Sequence, residues 1–296
     1  MKKRVLVTGA TGFIGSHLCN QLHSKGYEVY AFGVSGENKP QCTKLYRTND
    51  FNATLKKIPD IDICFHQAAN NDTTDQDMLS MMDANVRIPS ELFYGLYNYK
   101  NCRNFIYASS CSVYGNEPAP FNDNKTQLKP LNPYAKSKQL FECFATGFLE
   151  DYHCHVVGLR YTNVYGCNEA HKGKRASMIH QIMEKAKKGE TIKLFKDGSQ
   201  KRDWVFVDDV VRANIAASKA KKSGIFNVGS GKSVTFKNLI KIIGEEMNKE
   251  IDVEYIECPF KDAYQSYTAV NLRNASTFGY KPKWQVKEAI RKMMKK

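Results

Sequence analysis

The chain has 296 residues, 42% of them hydrophobic, and a formal charge of +14 from 44 lysines and arginines against 30 acidic residues. This is enough apolar material for a full core, and it excludes a disordered chain, a fibre or a disulfide-stapled miniature scaffold. No apolar run approaches the roughly 18 residues that a membrane-crossing helix needs, so no membrane partner is expected.

Met1-Lys2-Lys3-Arg4 ahead of Val5-Leu6-Val7 imitates a signal peptide, but Thr8, Gly9, Thr11 and Gly12 break the apolar stretch. The expected location is cytoplasmic. The nine cysteines agree with that: they are scattered from Cys19 to Cys258 and form no C-x-x-C pair. Lysines gather at 185–188, at 219–222 and, with arginine, at 291–296. These are expected to be solvated helix faces rather than a nucleic-acid surface.

In chain order, strand and helix patterns alternate. Val5–Thr8 is expected as a first strand; Ile14, Leu18 and Leu22 then recur at helical spacing, and Gly26 supplies the stop. Further strands are expected at Glu28–Phe32, Leu45–Arg47, Ile63–His66, Asn104–Ser109 and His155–Tyr161, with helices over Asp83–Tyr97 and Pro133–Asp151. Strands separated by helices pair in parallel through crossovers, which predicts an α/β fold with a Rossmann-like, doubly wound parallel sheet. After Tyr161 the rhythm changes. Ser177–Lys188 reads as a helix, Thr191–Phe195 and Trp204–Val207 as strands, and Asp208 or Asp209 as the cap of a helix reaching about Lys219. Ile225–Val228 reads as a strand, Thr235 as the cap of another helix, and Val253–Ile256 as a last strand.

Gly9-Ala10-Thr11-Gly12-Phe13-Ile14-Gly15 lies between the first strand and the first helix. Gly9 permits the turn, Gly12 lets backbone approach a pyrophosphate, and Gly15 allows close helix–strand packing. The helix N-terminus offers N–H groups and partial positive charge to the anion. A dinucleotide cofactor, NAD(P), is therefore expected. No carboxylate closes the second strand, where Phe32-Gly33-Val34-Ser35 stands. That favours NADP slightly over NAD, with Ser35, Lys39 or Lys44 as phosphate contacts and Asp50 and Phe51 beside the adenine.

Asn132 and Pro133 open a helix in which Tyr134 and Lys138 are four residues apart and share a face. An ammonium beside a phenol, together with an oxidised nicotinamide, favours the phenolate, which takes a hydroxyl proton while hydride leaves carbon. Ser110, ending the fifth strand, can hydrogen-bond the same oxygen. Cys111 lacks a partner histidine and is expected to be packing; His153 and His155 lack acidic or cysteine partners, so no metal is expected.

The glycine loop, Ser109-Ser110-Cys111-Ser112-Val113-Tyr114-Gly115 and Tyr134-x-x-x-Lys138 together resemble the extended short-chain dehydrogenase/reductase family of nucleotide-sugar epimerases. Arg160–Gly166, Glu169-Ala170-His171-Lys172-Gly173, Lys201–Val207 and Tyr264–Thr268 make the likeness greatest to the ADP-glycero-manno-heptose 6-epimerases, over nearly the whole chain. The resemblance implies a cofactor-binding domain of residues 1–161 plus about 204–228, and a smaller α+β substrate-binding lobe of about 162–203 plus 229–296. It implies Ser110, Tyr134 and Lys138 as a catalytic triad, with Lys172 as a second acid/base on the opposite face of the reacting carbon. Phe13, Ile14, Gln67, Ala68, Ala69, Asn85, Lys138 and Val164 match cofactor contacts. Asn163, Lys172, Phe195, Arg202 and Tyr264 match contacts to a nucleotide-diphosphate sugar, with Lys196, Asp197 and Gly198 beside Phe195. A homodimer or higher homo-oligomer is the implied assembly.

Lys174 and Gln181 stand where the heptose enzymes commonly have Ser and His, and Thr162 where an aromatic residue is common. A hexose 4-epimerase or a 4-ketosugar reductase on the same scaffold remains the second reading. A non-catalytic dinucleotide-binding protein with a nucleic-acid surface is the third. Ser110-Cys111-Ser112-Val113 lacks the Asp-Glu pair of sugar 4,6-dehydratases, which disfavours elimination of water.

Overall fold

The computed structural model describes residues 2–150, 154–259 and 265–295. Its first half comprises β1 (Arg4–Thr8), α1 (Phe13–Ser24), β2 (Glu28–Gly33), β3 (Lys44–Arg47), α2 (Phe51–Leu55), β4 (Ile63–His66), α3 (Met78–Met82), α4 (Ile88–Tyr99), β5 (Asn104–Ser110), α5 (Pro133–Thr146) and β6 (His155–Tyr161). The second half holds β7 (Asn163–Tyr165), α6 (Met178–Lys188), β8 (Ile192–Phe195), β9 (Lys201–Phe206), α7 (Val207–Ala217), β10 (Gly224–Val228), β11 (Ser233–Thr235), α8 (Phe236–Met247), β12 (Val253–Ile256) and α9 (Val286–Met294).

Seven strands form one all-parallel sheet in the order β10-β6-β5-β4-β1-β2-β3. The fold is the expected Rossmann-like one. Its strands are nearly continuous apolar runs because both faces are covered. Leu18, Cys19 and Leu22 of α1 pack with Val210, Val211 and Ala213 of α7 on one face. Phe51 and Leu55 of α2, Leu92, Phe93 and Leu96 of α4, and Phe141 of α5 cover the other. The strand order reverses between β1 and β4, and that opens a crevice at their carboxyl ends.

A three-stranded sheet, β11-β9-β7, and a two-stranded one, β12-β8, form a second layer with α6, α8 and α9. Here the expected division at about residue 204 meets a different strand pairing. β9 pairs with β7 and β11, so from residues 204–228 only β10 joins the seven-stranded sheet, while α7 packs against it. The cause is the alternation of β9: Trp204 and Phe206 face the core of the second layer, whereas Val205 joins the first.

Other boundaries shift for local reasons. The helix expected to begin at Asp83 starts as α3 at Met78 and passes through a π-helical turn, Asp83–Arg87. The helix expected to reach Asp151 ends at Thr146, and Asp151 and His153 lie outside the described residues. Neither Asp208 nor Asp209 caps α7; both sit in its first turn. Asp209 instead accepts from the backbone N–H groups of Lys283 and Trp284 and pairs with Arg212, tying the segment before α9 to α7. Thr235 does cap α8, through Asn238 N. All nine cysteines are free thiols, and among the described residues no cluster of His, Cys, Asp or Glu could hold a metal. No described helix is long and apolar enough to cross a membrane.

Trp204, 2% exposed and edge-on to Phe236 at 5.6 Å, is the largest side chain in the second core. Trp204→Ala is expected to lower unfolding free energy by about 3–5 kcal/mol in urea titration. A loss below about 1 kcal/mol would contradict this packing account.

Candidate active site

The glycine loop is built as the sequence predicts. Gly9 has φ +64°, and a Cβ there would lie 2.7 Å from Ala68 N at the end of β4. A Cβ on Gly15 would lie 2.2 Å from Gly9 O, so only glycine lets α1 approach the turn this closely. Gly12 sits at the N-cap with no side-chain cap and no acidic residue in the first turn of α1. The leading N–H groups therefore face the crevice without a competing carboxylate, an arrangement that fits a pyrophosphate. Thr11 is buried, while Phe13 and Ile14 begin α1 and pack against the second layer.

At the outer edge, the segment after β2 folds back over this loop. Asn38 N donates to Thr11 O at 3.2 Å and Asn38 Nδ2 to Gly12 O at 3.3 Å. Ser35 and Lys39 are exposed on this segment. Lys44 is not at the crevice: the β2–β3 register sets it opposite Tyr30, about 10 Å below the carboxyl end, where its ammonium lies over the Tyr46 ring. The residue opposite Gly33 is Arg47, which is exposed and donates to Gly36 O at 3.0 Å. Sequence reading missed Arg47 because only the register reveals which basic residue reaches the carboxyl end. Asp50 spends one carboxylate oxygen on Ala53 N as the cap of α2, and Phe51 is buried 5.6 Å from Phe32.

On the other side of the crevice, the chain leaving β4 is held by side chains expected to touch the cofactor. Gln67 donates to Asn214 and accepts from Tyr161 OH, both at 3.0 Å. Ala68 N donates to Thr8 Oγ1, and Ala69 is exposed. Asn85, in the π-helical turn, is 2% exposed and spends its amide on Asn70 N, Asn70 O and Ser137 Oγ, all within 2.9 Å. Its role is thus to hold the loop after β4 against α5, not to face the crevice directly.

Asn132 caps α5 through Ala135 N at 2.8 Å, Pro133 occupies the first turn, and Tyr134 follows. The Ser110 side chain adjoins the Tyr134 phenol. Burial pushes the phenol above its ordinary pKa, and Ser110 works against that rise. Lys138 is 5% exposed; its Nζ donates to Ala108 O at 3.0 Å and lies 5.9 Å from the Tyr134 ring centroid. Burial pulls its pKa down to about 8, with Glu142 pulling upward. Ser110, Tyr134 and Lys138 thus come together as expected, and burial of the phenol works against the phenolate form. Cys111 is buried, donates to Arg160 O and has its thiol pushed up by burial, as a packing residue does.

Lys172 sits in a 3-10 turn, Ala170–Arg175, where its ammonium lies 3.6 Å from Glu169 and over the Phe13 ring at 5.0 Å. Glu169 is fully buried and accepts from Ser177 N, Ser177 Oγ and Gly166 N. Lys172 therefore faces the mouth of the glycine loop. Burial lowers its pKa, opposed by Glu169.

Asn163 opens β7 and accepts from Thr268 Oγ1, with Val164 beside it in both cores. Phe195 ends β8, and Lys196, Asp197 and Gly198 turn the chain toward β9. Arg202 is 8% exposed, with its guanidinium over Phe236 at 5.7 Å. Next to these residues is a cavity of about 580 Å³, lined among others by Lys196, Gln200, Lys201, Glu257 and Tyr267. Gln265 donates to Gly115 O, tying this side to the loop that follows Ser110. Tyr264 lies outside the described residues. A separate open groove of about 600 Å³ beside α3 contains none of the site residues.

A family model for the NAD-dependent epimerase/dehydratase family matches residues 5–229. The chain belongs to that family. It is similar to an ADP-L-glycero-D-manno-heptose-6-epimerase from Helicobacter pylori, at 29% identity and a TM-score of 0.87, over 99% of this chain and 96% of that one. It is similar too to a UDP-N-acetylglucosamine 4-epimerase from Methanobrevibacter ruminantium in complex with UDP-N-acetylmuramic acid, at 28% identity and a TM-score of 0.90, over 100% and 98% of the two chains. A UDP-glucose 4-epimerase from Thermus thermophilus in complex with NAD shares 26% identity, with a TM-score of 0.85 over 97% and 96%. The extended short-chain dehydrogenase/reductase likeness and the sheet order therefore agree.

Gly15→Ala is expected to weaken NAD binding at least about tenfold by calorimetry, because α1 must move away from the turn. Unchanged affinity would contradict the dinucleotide reading of this loop.

Proposed function

We propose that the protein is an NAD(P)-dependent nucleotide-sugar epimerase, most like ADP-glycero-manno-heptose 6-epimerase, that inverts a carbinol carbon through a transient ketone. The observation that carries this reading is the meeting of Tyr134, Ser110 and Lys138 at the carboxyl end of β5, beside the strand-order reversal. The nicotinamide, when bound, supplies the acceptor and then the donor of hydride. Tyr134 takes the hydroxyl proton as the C–H bond gives up hydride, and Ser110 holds the oxygen that becomes the ketone. Lys138 keeps positive charge beneath the phenol, favouring phenolate once cofactor charge adds to it. Lys172 serves the alkoxide presented when the ketone returns with its other face toward the hydride. The cavity that Lys196 and Lys201 line, next to Glu257, offers two ammonium groups to the diphosphate of a nucleotide sugar. The second layer, including the lobe of about 162–203 and 229–296, is in this reading the substrate side. A homodimer or higher homo-oligomer is the assembly this reading carries with it.

One observation favours the second reading, a 4-epimerase that works with one acid/base: the ammonium of Lys172 is engaged by Glu169 and Phe13. Two substitutions separate the readings. Tyr134→Phe is expected to cut turnover of the accepted nucleotide sugar at least about a hundredfold while NAD(P) binding stays within about threefold of wild type. Retained turnover would remove Tyr134 from the chemistry. Lys172→Ala is expected to cut kcat comparably; a kcat unchanged within about threefold would favour the single-base reading.

For the cofactor we favour NADP, because no carboxylate occupies positions 33–36 and Arg47 stands opposite Gly33. Arg47→Ala is expected to weaken NADP at least about tenfold and leave NAD nearly unchanged, as read by calorimetry. Equal affinity of the wild type for both dinucleotides would reject the preference.

A further inference from the structure

The inward face of α5 carries a charged group that the proton transfer does not use. Glu142 follows Lys138 by four residues and Tyr134 by eight, so all three share one face of the helix. Glu142 is 2% exposed, and its carboxylate accepts from Ser109 Oγ at 2.5 Å. It also accepts from Arg160 twice, from Nε at 2.8 Å and from Nη2 at 2.7 Å, and Arg160 is itself 4% exposed. Arg160 donates onward to Tyr114 OH at 2.8 Å and to Asp123 O at 3.3 Å, while Tyr114 OH donates to Asn227 Oδ1. The negative end of this buried pair therefore belongs to α5 and its positive end to β6.

Three α5 residues lie against successive residues of β5. Lys138 donates to the Ala108 carbonyl, Glu142 accepts from the Ser109 hydroxyl, and Tyr134 adjoins Ser110. We propose that Glu142, clamped by Arg160 and Ser109, is a positioning residue for the Tyr134–Lys138 pair: it locks α5 onto β5 and β6 and sets a carboxylate one helical turn beyond the buried ammonium of Lys138, on the same face. The proposal rests on Tyr134 and Lys138 being the proton-transfer pair.

The other titratable groups around Lys138 offer no substitute. His66 on β4 is kept neutral, its pKa pulled down to about 3 by burial and then by Lys138. Tyr107 on β5 and Tyr134 on α5 are phenols pushed upward by burial. Arg160 on β6 carries the opposite sign. A pair kept only for packing gains little over apolar residues of the same shape, because desolvation offsets the attraction.

A double-mutant cycle in thermal stability tests this without any nucleotide sugar, so its outcome is independent of the epimerase reading. Lys138 stays protonated in the native state below about pH 8 and loses its proton above that, whereas the ordinary lysine value is 10.5. Coupling to Glu142 is therefore present on the acid side and fades on the alkaline side. At about pH 6.5, Glu142→Gln is expected to lower Tm at least about 3 °C more in the wild-type background than in Lys138→Met. At about pH 9.5 that difference should shrink to less than half. No coupling at either pH, or equal coupling at both, overturns the proposal; so does a folded Glu142→Gln variant whose kcat on the accepted nucleotide sugar stays within about twofold of wild type, since misplacing the pair is expected to cut kcat at least about tenfold with KM little changed. If Glu142→Gln alone fails to fold because Arg160 is left unpaired, the same cycle is read with Glu142→Gln and Arg160→Met made together, which removes both charges.

Discussion

Lys138 is held almost out of water on the inward face of α5, with its ammonium donating to a backbone carbonyl of β5. A charge in that position tolerates little movement, because every displacement from its partners exposes it to a low-dielectric surround. Seating Lys138 fixes the helix, and the helix fixes the rest of the site. One turn earlier Tyr134 reaches Ser110; one turn later Glu142 reaches Ser109 and Arg160. The groups proposed to move the proton come from one helix and the strand beneath it, which are rigid elements that hold their mutual geometry tightly.

The parallel sheet makes this local arrangement useful. Because the order reverses between β1 and β4, the carboxyl ends of β1, β4 and β5 surround one crevice. The glycine turn floors it on one side, through an approach of α1 that any side chain at Gly15 would prevent. The Ser110–Tyr134 pair walls it on the other. The second layer is tied to the walls of the crevice at a few defined points. His17 Nε2 meets Cys167 O at 2.9 Å, Lys172 lies over Phe13, and Gln265 reaches Gly115. Opposite walls of the crevice are thereby joined by contacts between the layers.

Much of this was legible in the sequence because its signals are local. Alternation of apolar runs with helical spacing gave the strands of the large sheet, and Asn132-Pro133 marked the start of α5 together with the face that Tyr134 and Lys138 share. What escaped depends on pairing between distant segments. Lys44 and Arg47 are equally plausible phosphate contacts by sequence; only the register of β3 against β2 separates them. Short strands such as β7 and β11, three residues each, carry too little pattern to be seen before their partner β9 is placed. Glu142 and Arg160 read as ordinary charges in a helix and a strand, and their burial appears only once α5 lies on β5 and β6. Asn85 shows a further limit: its position was marked, but its hydrogen bonds to Asn70 and Ser137 are tertiary.

In the proposed reaction a carbinol carbon is inverted by the removal and return of its own hydride within the crevice. The most direct test is to supply a nucleotide sugar deuterated at the carbon that inverts, in ordinary water, and to follow the label by mass spectrometry and NMR. Transient oxidation predicts that the inverted product keeps its deuterium on that carbon, because hydride never exchanges with solvent. Product that has inverted and lost the label to water would show that the carbon is deprotonated instead, and would contradict the account.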